Sequence, residues 1–69
     1  MNRKLQLAEE RLLELLRHEG PLTMDEILSK LQDEAQSELR AAVWTLRAEG
    51  MVDFNDGKLK TLQLTAEAA

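Results

Sequence analysis

The sequence predicts an α+β domain of three helices followed by a two-stranded β-hairpin. Three observations predict it. Apolar residues recur at helical spacing through three stretches, about residues 4–19, 24–31 and 37–49. Gly20-Pro21 and Gly50 stand where the first and third stretches must stop. After Gly50 the period changes to that of strands, over about 51–65, with turn residues in the middle.

Sixty-nine residues make one domain, 1–69. So short a chain buries a modest share of its surface, and its core supplies only a few kcal/mol of net stability. With no cysteine, disulfides and thiolate metal sites are excluded. Good packing or self-association must serve instead. Met1 to Leu7 is polar and carries two basic residues, unlike the apolar run of a signal peptide. No apolar stretch approaches the ~20 residues of a membrane span. The expectation is a cytoplasmic protein with no membrane partner.

Leu5, Ala8, Leu12, Leu15 and Leu16 form the stripe of the first helix, with Leu7 and Leu13 on a second apolar edge. Gly20 suits the left-handed position after the helix, and Pro21 forbids continuation. Leu22 predicts a very short extended segment. Thr23 with Glu26 three residues on is a capping box for a second helix that buries Ile27, Leu28 and Leu31. Gln32 to Gln36 read as a polar connection, with Ser37 capping the third helix. Leu39, Ala42, Val43 and Leu46 are that helix's inward stripe. Met51, Val52 and Phe54 begin one strand, Asn55-Asp56-Gly57 turns, and Leu59 to Thr65 return. A three-residue loop with Gly57 left-handed is expected, because it sets Val52, Leu62 and Leu64 on one face with Phe54, Lys58 and Lys60. Thr65 is a candidate cap for a further helix beginning at Ala66.

This order of parts resembles the winged helix-turn-helix DNA-binding superfamily, including its MarR-like, PadR-like and FaeA/PapI-like small regulators. Gly20-Pro21-Leu22-Thr23-Met24-Asp25-Glu26-Ile27 matches the approach to the second helix. Ser37 with Leu39, Ala42, Val43 and Leu46 matches the core of the third. Leu46-Arg47-Ala48-Glu49-Gly50-Met51-Val52 matches the exit from it, and Leu62-Gln63-Leu64-Thr65 the closing strand. The resemblance spans about residues 5–65 and rests on core and backbone positions. It implies that the third helix enters the DNA major groove while the hairpin, the wing, touches the backbone. Carried over by position, the outward face is Gln36, Ser37, Glu38, Arg40, Ala41, Trp44, Thr45 and Ala48. Gln36 and Arg40 then meet base edges, Ser37 and Thr45 meet bases or phosphates, and Lys58 and Lys60 meet phosphates from the wing.

Charge pulls against that reading. The net charge is −4, and all of the excess falls in residues 24–38, where Asp25, Glu26, Asp33, Glu34 and Glu38 face only Lys30. DNA binders gain affinity by neutralising phosphates. The acidic stretch reads either as a solvated face or as a patch that meets a basic partner. Within the third helix Glu38 and Glu49 offset Arg40 and Arg47. Arg40 is either a base reader or an ion-pair partner of Glu38 or Gln36.

Trp44, the only tryptophan, lies opposite Leu39 and Leu46 on the helical wheel. Either it folds over a neighbouring element, or it is an exposed anchor for a protein or a second copy. Ala41, Leu7 and Leu13 are the other candidate interface residues. His18 sits near a helix C-terminus, where the dipole favours a cation. No second ligand accompanies it, no glycine-rich phosphate loop is present, and no catalytic constellation emerges. Neither a cofactor, a metal nor a small-molecule substrate is inferred.

The leading expectation is a small sequence-specific DNA-binding transcriptional regulator, with the third helix in the groove and a homodimer supplying two half-sites. The rival is an acidic protein–protein interaction module that uses the Trp44 face and binds no DNA.

Overall fold

The computed structural model describes residues 3–66, with side chains from Gln6 onward. The inward side chain expected of Leu5 and the helix expected beyond Ala66 lie outside the described residues. Three helices, α1 (Arg3–Glu19), α2 (Met24–Lys30) and α3 (Gln36–Ala48), precede an antiparallel hairpin of β1 (Val52–Asp56) and β2 (Lys60–Leu64).

The glycine after α1 and the one after α3 end their helices differently, and Pro21 explains why. Gly50 has φ +78°, its N–H donates to the Arg47 carbonyl at 3.0 Å, and the Met51 N–H donates to Leu46 at 2.9 Å. That pair of bonds is a Schellman motif. Gly20 has φ +77° and donates to the Leu16 carbonyl at 2.9 Å. The second bond is missing there because Pro21, the next residue, has no N–H to give.

Thr23 caps α2 as its sequence predicts. The Thr23 N–H donates to Glu26 Oε1 at 3.0 Å, and the Glu26 N–H donates to Thr23 Oγ1 at 3.2 Å. At α3 the cap is not Ser37. The extended residue is Ala35, whose carbonyl accepts from the Glu38 and Leu39 N–H groups, both at 3.0 Å. Ser37 lies inside the first turn and is exposed, free to face a ligand.

One core joins all the elements. Ala8, Leu12 and Leu16 of α1 meet Leu39, Ala42, Val43 and Leu46 of α3, with Ile27 and Leu31 beside them and Val52 and Leu62 closing the end. The four-residue stripe predicted for α3 is buried throughout. Leu15 and Leu28 are only half-buried, at the edge of the cluster.

Leu22 is a one-residue strand. It exchanges both backbone hydrogen bonds with Leu62, at 3.1 and 2.7 Å, so β2 runs between Leu22 and β1. Across the hairpin Val52 pairs with Leu64, Phe54 with Leu62 and Asp56 with Lys60. These pairs share one face, so Val52, Phe54, Leu62 and Leu64 lie together as expected. The loop also has three residues, but it is Gly57-Lys58-Leu59 rather than Asn55-Asp56-Gly57. Gly57 is not left-handed, and Lys58 leaves the strand face for the loop. Moving the loop by two residues slides the register by four, and any even slide keeps every side chain on its face, so alternation alone does not choose between the two loops. At the hairpin's base, Thr65 Oγ1 donates to the Gly50 carbonyl at 2.6 Å and the Thr65 N–H donates to Met51 at 3.0 Å. The ends of α3 and β2 are thereby tied together.

Candidate interaction surface

Burial of Leu39, Ala42, Val43 and Leu46 fixes the rotation of α3. Gln36, Ser37, Arg40, Ala41, Trp44 and Ala48 are then exposed, and Thr45 is half-buried at the margin. Trp44 keeps 66% of its surface in solvent, so it does not fold under the hairpin.

The α3 face continues onto the hairpin through aromatic rings and cations. The Arg47 guanidinium lies 5.8 Å from the Trp44 ring centroid and 5.3 Å from that of Phe54. Lys60 Nζ lies 4.8 Å from the Phe54 centroid. Each spacing is within reach of cation–π attraction. Arg47 Nε also approaches Asp53 Oδ1 at 3.5 Å. Trp44 stands between two depressions. One, of about 180 Å³, is lined by Met24, Arg40, Val43, Trp44 and Phe54. The other is lined by Trp44, Arg47 and Ala48.

Of the five acids of residues 24–38, Glu26, Asp33 and Glu34 are engaged, whereas Asp25 and Glu38 form no ion pair among the described residues. Arg11 of α1 reaches the connection before α3, where its Nη1 donates to Asp33 and, at 2.7 Å, to Glu34. The Arg11 hydrogen bond holds the Asp33 carboxyl below the usual carboxylate range. Glu26 is also held low, first by the Thr23 N–H it accepts in the capping box. Lys30 pairs with Glu19 at 3.0 Å. Among the described residues Arg40, Lys58 and Lys60 form no ion pair, so Glu38 does not hold Arg40. Three cations with no carboxylate partner therefore sit on α3 and the hairpin.

The other candidate positions divide. Leu7 is exposed at 49%, and Leu13 is half-buried against the core. His18 Nε2 lies 2.8 Å from Glu14 Oε1, one turn earlier on the same helix. Among the described residues no three His, Asp or Glu side chains gather as a metal site would need, and no helix is long and apolar enough to cross a membrane.

Two members of the face escaped the sequence reading. Arg47 follows Trp44 by three residues, the spacing of helical neighbours, and that signal was available. Met24, the first residue of α2, lines the depression with Arg40, Val43 and Trp44 of α3, a neighbourhood that no local pattern reveals.

No family model, curated protein or solved structure matches the chain. What the face can bind is therefore read from its own chemistry.

Proposed function

We propose that the chain is a winged helix-turn-helix domain that binds DNA as a cytoplasmic transcriptional regulator and performs no catalysis. In this reading α3 lies in the major groove. Gln36 and Arg40 read base edges, Ser37 and Thr45 contact the strand beside them, and Lys58 and Lys60 touch phosphates from the wing. The observation that carries the reading is the continuity of cations across the two elements. Arg40, Arg47 and Lys60 surround Trp44 and Phe54, while Asp33 and Glu34 are drawn off by Arg11. Asp53 pairs with Arg47, so Arg40 and Lys60 are the cations of this face with no ion pair among the described residues.

So few phosphate contacts give weak binding at physiological salt. A homodimer on two half-sites would supply the missing affinity.

A second reading takes the same face as a protein-interaction surface, favoured by a tryptophan 66% exposed beside an apolar depression. An electrophoretic shift with mixed-sequence duplex at low salt separates the two. The DNA reading expects a salt-sensitive shift, and Arg40→Ala weakens it and relaxes base preference. Absence of any shift at tens of micromolar protein overturns it in favour of a protein partner.

A further inference from the structure

We propose that Trp44 is a stacking platform for an unpaired base, so that this face prefers DNA with a base out of the helix over an intact duplex. The inference rests on the reading that the α3–hairpin face binds DNA, and it names the form of DNA bound.

The chemistry of the ring motivates it. An indole offers one N–H donor and no acceptor, so its hydrogen-bonding vocabulary for base edges is poor. Its asset is a flat π-face, and Trp44 presents one at 66% exposure in the middle of α3. Bases paired in a duplex display edges in the grooves, whereas their faces are covered by neighbouring bases. An aromatic face aimed at DNA finds a matching face only where a base has left the stack. Base–aromatic stacking flanked by cations is the general means of holding single strands.

The surroundings of Trp44 fit such a ligand. The depression beside it has an apolar floor of Met24, Val43 and Phe54, with Arg40 at its rim. A base lying against Trp44 covers that floor, and Arg40 can reach its edge, with guanine the best match for a guanidinium. Arg47 flanks the same ring and Lys60 flanks Phe54, so phosphates on either side of the base meet a cation. An apolar peptide anchor would fill the depression too. It would leave Arg40 and Lys60 without a phosphate or carboxylate partner unless the peptide were acidic.

Trp44 is the sole tryptophan, which makes it its own probe. The full chain is titrated with a blunt duplex, with the same duplex carrying a short unpaired bubble, and with an acidic peptide containing phenylalanine. Tryptophan emission and the anisotropy of labelled DNA are followed. The expected result is about five- to hundredfold tighter binding of the bubble, with quenched emission. In Trp44→Ala the ratio of the two affinities falls to about one, and Trp44→Phe restores part of it. Because the side chain is exposed, circular dichroism should show both variants folded. Equal affinity for both DNAs with unquenched emission overturns the inference and leaves the DNA reading standing. Quenching by the peptide, with no binding of either DNA, overturns both.

Discussion

The guanidinium of Arg47, in the last turn of α3, lies 5.3 Å from the centre of the Phe54 ring in the first strand of the hairpin. That contact couples the helix to the hairpin and makes one surface of two elements. Arg47→Ala and Phe54→Leu should therefore not be additive. A double-mutant cycle by urea unfolding is expected to give a coupling of about 0.5–1 kcal/mol. Additivity within error would mean the two side chains are neighbours without being partners.

Gly50 and Gly57 make a contrasting pair. Gly50 is left-handed at φ +78°, where an L side chain crowds the following carbonyl. Gly50→Ala should cost about 1–2 kcal/mol. Gly57 is not left-handed, and a Cβ there would meet its nearest heavy atom at 3.9 Å. Gly57→Ala should be neutral, or more stable by about 0.4–1 kcal/mol through a less flexible unfolded chain. Urea midpoints of the two variants test this, and equal losses would contradict the hairpin geometry.

Acid should weaken the fold, with a known sign. Asp33 is held low by Arg11, and Glu26 by the Thr23 N–H. Each contributes stability that is present above its unfolded pKa, near pH 4. That stability is lost as the pH falls through the lower folded value. Glu9 acts in the opposite sense. Burial, then Glu49 and Glu10, raise it, so its contribution is present below the unfolded value and lost as the pH rises. The Glu9 contribution is already complete near its unfolded value, so below about pH 4 only the losses at Asp33 and Glu26 continue and the urea midpoint should fall. In Asp33→Asn that acid limb should be shallower. An unchanged pH slope in this variant would show that Arg11 does not hold Asp33 in solution.

The helical part of the molecule was largely legible because its signals are local. Thr23 and Glu26 lie three residues apart, Gly20-Pro21 and Gly50 act within one turn, and the Leu39–Leu46 stripe is a matter of period. The stripe also foretold the exposure of Arg40 and Trp44. The reading went astray at Ser37, where a good capping residue lies two positions inside the helix. The position of the hairpin loop was not legible in the alternation, which an even slide of the register, here four residues, leaves unchanged. The link from Arg11 to Asp33 and Glu34 crosses more than twenty residues of chain. It follows from how α1 packs, and no spacing rule announces it. Without it the acids looked like an obstacle to DNA binding.

The most direct test of the account is the salt dependence of duplex affinity, measured by anisotropy for the natural chain and for Arg40→Ala/Lys60→Ala. Log affinity should fall linearly with log salt at a slope of about −2 to −4, since each neutralised phosphate contributes about 0.9. The double variant should lose about one unit of that slope, the share of Lys60, together with affinity at every salt concentration from the lost base contact of Arg40, and Lys30→Ala, whose ammonium pairs with Glu19, should lose no slope. A natural chain that fails to bind at low salt would contradict the account, as would a slope that Arg40 and Lys60 do not change.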